Sequence, residues 1–281
     1  MSKTLRSRPG FTLIELLVVI AIIGVLVALT TAGVMRVRVS GTRSQVSIEI
    51  GQLDAACKAF KAKFGFNPPS RLRLSDTATD YTTPAFQETT TYLTSMYPKI
   101  NFAAFASSYS DLRKQSSLPT GSETLEGHQC LVLFLGGPAF NNNPNGFSTN
   151  PTNPFDTAGD RVKFYEFQSG RLVKLNASSP FPSYKDAWTT NVYAYLSSGR
   201  RANGYNSPSD GTGLGVSPYF TTAGPPVVYV NSNTTQIISA GQDGIFGPGG
   251  LIDLANPAVS GTASDDQTNF TSGILAAGQR S

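Results

Sequence analysis

Hydrophobic and polar positions along the 281-residue chain change pattern several times. From Phe11 to Met35 the run FTLIELLVVIAIIGVLVALTTAGVM is apolar with a single charge, Glu15. A helix of that length, rising ~1.5 Å per residue, is long enough for the ~30 Å hydrocarbon core of a bilayer. Beyond it, Val46, Ile50, Leu53, Cys57, Phe60 and Phe64 recur at alternating steps of four and three, which predicts an amphipathic helix. Glu49, Gln52, Asp54, Lys58 and Lys61 fill its other side, and Gly65, Asn67, Pro68 and Pro69 stop it. One nearly continuous helix from Phe11 to about Phe64 would be ~80 Å long. Its outer half needs a partner surface, and a β-sheet in the remainder of the chain is the natural candidate.

After residue 70 the pattern becomes mixed. Helix is predicted from about Tyr92 to Phe105 and around Leu125 to Leu135, and the Asn/Pro tract from Asn141 to Asn153 reads as a surface loop. Strands are predicted at Lys163 to Phe167, Arg171 to Leu175, Val192 to Leu196 and Val227 to Val230, because aromatic and β-branched residues gather there between turn formers. Gln168-Ser169-Gly170 is placed to turn between the first two, and Trp188 is expected to anchor a core. The fold class that follows is α+β: a long N-terminal helix, half membrane and half amphipathic, packed on a small antiparallel β-sheet.

The charges ahead of the apolar run decide its orientation. Lys3, Arg6 and Arg8, followed by Pro9-Gly10, precede it, and no small-residue cleavage site follows, which is the reverse of an ordinary secretory signal. Basic residues before the span hold the N-terminus in the cytoplasm and send the rest across the membrane, although Arg36 and Arg38 pull the other way. A carboxylate inside such a span costs about 3 kcal/mol unless it finds a partner, so Glu15 is a candidate functional residue.

At this point RPGFTLIELLVVIAIIGVLVAL, Arg8 to Leu29, resembles the type III signal of type IV pilins and type II secretion pseudopilins. The resemblance implies that prepilin peptidase cuts after Gly10 and that Phe11 becomes an N-methylated first residue. It implies further that Glu15 pairs with the N-terminal amine of a neighbouring subunit in a filament. The implied partners are copies of the chain itself, the inner-membrane assembly platform and minor pseudopilins. The implied location is the bacterial inner membrane, crossed once, with the C-terminal domain exported to the periplasm. Many relatives carry a proline about where Ala32 stands, whereas Thr30, Thr31 and Gly33 here only soften the helix. IEIGQLDAACKAFKAKFGFNPPS is similar to the outer half of the pseudopilin helix, and KDAWTTNVYAYLS to the family's Asp-Pro-Trp-Gly segment with Ala187 in place of the proline. The implied organisation is a leader over 1–10, a transmembrane and assembly helix over 11–35 and an amphipathic helix over 36–66. A variable insertion over 70–160 and a β-sheet and loop region over 161–281 complete it.

Composition narrows the remaining classes. Hydrophobic residues make up 40% and charged residues 14%, enough apolar side chain for a real core. The three leader cations are among 22 basic residues against 18 acidic, so cleavage lowers the net charge from +4 to +1. No Lys/Arg-rich run with interleaved aromatics follows, and no nucleic-acid partner is expected. Cys57 and Cys130 are too few for a disulfide scaffold; they read as small buried apolar residues, with pairing left open. His128 is the sole histidine, and with no nucleophile and base evident around it the chain is not expected to be an enzyme.

The last informative stretch is QIISAGQDGIFGPGG with the later SDDQTNF. Its glycines permit a tight loop, and Asp243, Asp253, Asp265 and Asp266 offer the hard oxygens that Ca2+ prefers. Asp-Gly pairs are also ordinary turn formers, so hydrogen bonds from Asp243 and Asp265 would close the loop equally well. Ser-Ala-Gly-Gln-Asp-Gly resembles the calcium loop of major pseudopilins, which implies Asp243, Asp265 and Asp266 as ligands with carbonyls near Ile238 and Ile245. About twenty residues separate Asp243 from the acidic pair, more than in relatives. The leading expectation is a structural subunit of a type II secretion pseudopilus that drives protein export. The alternative is a type IV pilin or minor pilin in adhesion, motility or DNA uptake.

Overall fold

The computed structural model describes residues 11–140, 143–205, 213–255, 257 and 261–275. The chain divides into two units, Met1–Ser44 and Gln45–Ser281. Helix α1 (Leu13–Phe64) begins in the first and ends in the second. In the first unit every large apolar side chain from Leu13 to Val37 is exposed, and the mean hydropathy over its best 18-residue window is 2.9. A helix apolar on all faces and uncovered by its own chain calls for an apolar surrounding. The softening expected near Thr30 does not break it. Thr30 Oγ1 donates to Leu26 O at 2.9 Å and Thr31 Oγ1 to Val27 O at 2.7 Å, so both hydroxyls are satisfied along the helix itself.

In the second unit the predicted face of α1 is the buried one. Val46, Ile50, Leu53, Cys57 and Phe60 are buried and Phe64 partly so. They pack in one core with α2 (Gln87–Met96), α3 (Phe102–Gln115) and α4 (Gly127–Gly136), and Phe60 meets Phe134 at 5.8 Å between ring centroids. Each buried aromatic of this kind contributes about 2–3 kcal/mol by leaving water. The helix predicted over Tyr92 to Phe105 is in fact two, parted by Tyr97–Asn101. Pro98 cannot continue α2, and Asn101 starts α3 by accepting from the amides of Ala103 and Ala104.

The sheets are small and mostly antiparallel. In the largest core sheet, β6 (Thr235–Ser239) lies between β3 (Ala194–Ser197) and β8 (Gln267–Thr268), with Ile237 opposite Tyr195 and Ser239 opposite Gln267. A second sheet joins β4 (Tyr219–Thr222) antiparallel to β5 (Val228–Tyr229) and parallel to β7 (Gly250–Leu251). A third pairs β1 (Leu72–Ser75) with β2 (Ser122–Leu125). The α+β class therefore holds, while several strands differ from expectation. Lys163–Phe167 forms no strand; instead the amides of Phe164 and Tyr165 both bond Leu135 O at the end of α4. Leu172–Val173 pairs with Ser183–Tyr184, and Ser169–Arg171 is a short 3-10 turn rather than a hairpin link. The Asn/Pro tract is partly folded: Phe147–Ser148 is buried and pairs with Arg161–Val162, while its first two residues lie outside those described. Trp188 is only partly buried and packs at the margin of the core.

Candidate functional site

The N-terminal residues form a small polar site at the start of an apolar helix. Glu15 Oε2 accepts from the Thr12 amide at 2.9 Å and from Thr12 Oγ1 at 2.7 Å, while Thr12 Oγ1 accepts from the Glu15 amide at 3.3 Å. This is a reciprocal capping box, and it satisfies a carboxylate that the span would otherwise carry unpartnered. Thr12 was not singled out from the sequence, although Thr-x-x-Glu ahead of an apolar run is the signature of that arrangement. Phe11 is exposed in front of it. Gly10, the expected cleavage position, lies outside the described residues.

The Gly/Asp loop is closed by its own hydrogen bonds. Asp265 Oδ2 accepts from the amides of Gln242 at 2.7 Å and Asp243 at 3.0 Å, and Asp243 Oδ1 accepts from Ile245 at 2.8 Å. Gly241 has φ +65, and a Cβ there would lie 2.6 Å from the Asp265 carboxyl carbon, so glycine alone permits this approach. Asp266 Oδ2 accepts from the Gly247 amide at 2.9 Å. Burial raises the Asp266 pKa to about 7, and the charges of Asp265 and Asp243 add to the rise. All three predicted acids are thus within electrostatic reach. Among the described residues, however, no three acidic, histidine or cysteine side chains converge as a metal-holding group. A cation here would rely on Asp265 Oδ1 and Asp266 Oδ1, which are buried without a hydrogen-bond partner among the described residues, and on backbone carbonyls. Ile238 lies in β6 with strands on both sides, whereas Ile245 is in the exposed loop.

Two other clusters went unread in the sequence. His128 Nδ1 is 2.7 Å from Ser183 Oγ, and Nε2 is 3.1 Å from Glu126 Oε2. Such a line invites comparison with a nucleophile and its base, but Ser183 has no exposed surface and a substrate cannot reach its hydroxyl. Glu126 also caps α4 by accepting from the Gln129 amide while Gln129 bonds back. Elsewhere Glu49, placed on the polar side of the amphipathic helix from its position, is buried. It accepts from Arg171 Nη1 at 2.7 Å, Arg171 Nη2 at 2.6 Å, Tyr184 at 3.0 Å and Tyr193 at 2.5 Å. Cys57 and Cys130 are both buried and not disulfide-bonded, and desolvation raises the Cys57 thiol to about 12.

Residues 5–31 match the family model of the prokaryotic N-terminal methylation motif. This motif is typical of type IV pilins and pseudopilins, and the capped, membrane-length helix beginning at Leu13 fits it. The chain accordingly carries a pilin-type N-terminus on an α+β fold. No curated protein and no solved structure matched the chain.

Proposed function

We propose that this protein is a structural subunit of a type II secretion pseudopilus, cut by prepilin peptidase after Gly10, methylated on Phe11 and assembled through its N-terminal helix. The observation that carries the reading is the methylation motif at residues 5–31 on a helix whose only charge before Arg36 is Glu15. In the membrane the capping box keeps that carboxylate satisfied. In the filament the amine freed at Phe11 of a neighbouring subunit takes its place as the counter-charge, which turns burial of Glu15 from a cost into a contact. The choice of pseudopilus over pilus rests on the likeness of the Ser-Ala-Gly-Gln-Asp-Gly loop to that of major pseudopilins. Glu15→Ala is expected to leave the subunit processed yet block both filament formation and protein secretion, with surface pili and motility unchanged. Normal secretion together with loss of pili would instead support the pilin alternative.

Calcium at the Gly/Asp loop is a second part of the proposal, favoured by the two buried carboxylate oxygens on Asp265 and Asp266 that lack partners among the described residues. Bound there, Ca2+ would neutralise adjacent acids that otherwise repel one another. Thermal melting with calcium against chelator tests it. A higher Tm with calcium, abolished by Asp265→Asn with Asp266→Asn, is expected; equal melting of the wild type in both conditions rejects the metal.

A further inference from the structure

A cleft of about 650 Å³ opens between the start of α2, the segment following α1 and the turn after β3. Its volume is that of a small-molecule site. Arg71, Arg200 and Arg201 line it against a single carboxylate, Glu88, and none of the three arginines is in a salt bridge among the described residues. Arg71 lies near enough to act on the Glu126 carboxylate. Arg200 is held in place: its guanidinium lies 4.9 Å from the Phe66 ring centroid and 5.9 Å from that of Tyr92, and Nη1 donates to Thr91 O and to Ser95 Oγ. Gly199 makes this turn possible, since a Cβ there would meet Tyr92 Oη at 2.3 Å. Arg201, exposed beside it, makes no side-chain hydrogen bond or ion pair among the described residues.

One further group lines the same space. Ser70 lines the cleft at 6% exposure, and its hydroxyl has no hydrogen-bond partner among the described residues. A hydroxyl without a partner at the cleft wall and an exposed guanidinium, that of Arg201, without a counter-ion among the described residues both lack the same thing, an oxyanion. A neutral sugar has less to gain, because the Tyr92 face that would stack on it already carries Arg200.

We propose that this cleft binds a small anionic molecule bearing a phosphate or carboxylate group, with Arg200 and Arg201 on the anion and Ser70 donating to it from the floor. The inference is independent of the filament reading, since the cleft lies wholly within the second unit. The test titrates glucose 6-phosphate, glucuronate and glucose into the full-length protein in a neutral detergent at low salt, followed by calorimetry. At least one anion is expected to bind saturably and at least tenfold more tightly than glucose. Phosphate or carboxylate is identified by which of the two binds better. Arg201→Gln and Ser70→Ala are each expected to weaken the anion about tenfold, the worth of one charge-assisted hydrogen bond. Both variants alter single groups at the cleft wall, and unchanged circular dichroism and Tm verify their folds. Absence of binding by both anions, glucose binding as tightly, or wild-type affinity in both variants would overturn the proposal.

Discussion

Asp186 illustrates how a single residue sets a pH response. Its side chain is fully buried, accepting from Ser239 Oγ at 2.6 Å and the Thr189 amide at 3.0 Å. Burial dominates over these bonds and raises its pKa from 3.8 to about 6. A carboxyl held above its unfolded value binds its proton more tightly in the fold. Its contribution is therefore complete below pH ~3.8 and is lost as pH rises through ~6, on the order of 3 kcal/mol in all. Asp186→Asn keeps both partners within reach and is expected to flatten the fall in Tm between pH 4 and 7; an unchanged pH slope would contradict this assignment. Burial of this kind is not legible in a sequence, where Asp186 stood out only through its likeness to a family segment. The Thr12–Glu15 pair went unread although its three-residue spacing is itself a signal; only Glu15 stood out, as a lone charge in an apolar run.

At the scale of elements, the join between α1 and the sheet region rests on an apolar face and one buried ion pair. The face from Val46 to Phe60 followed directly from its four-three spacing. Glu49 did not, because its partners Arg171, Tyr184 and Tyr193 are more than a hundred residues away and only the tertiary fold gathers them. The same reason hid β6, whose buried residues pair with strands on both sides, and the two-residue strands, which exist only through their distant partners. Glu49→Ala strands the Arg171 guanidinium and both tyrosine hydroxyls, and is expected to cost about 3–5 kcal/mol in urea unfolding. The pair Glu49→Leu with Arg171→Met removes both charges and is expected to lose much less. A loss below about 1 kcal/mol for Glu49→Ala would contradict the clamp.

For the whole molecule, the two units have opposite surface chemistry. The first exposes apolar side chains on every face of its helix, and the second buries its own in a core of aromatics. A chain so built is stable only if the first unit is covered by lipid or by copies of itself. Under the proposed function, cleavage before Phe11 would let one helix serve in both settings, because it would create the amine proposed to meet Glu15 in the filament. Intact-mass analysis of the membrane-extracted protein, produced together with prepilin peptidase, tests that claim directly. A mature chain beginning at Phe11 with one added methyl group is expected, and a full-length precursor when Gly10 is replaced. A wild-type protein that still carries Met1 and the residues through Gly10 would contradict it.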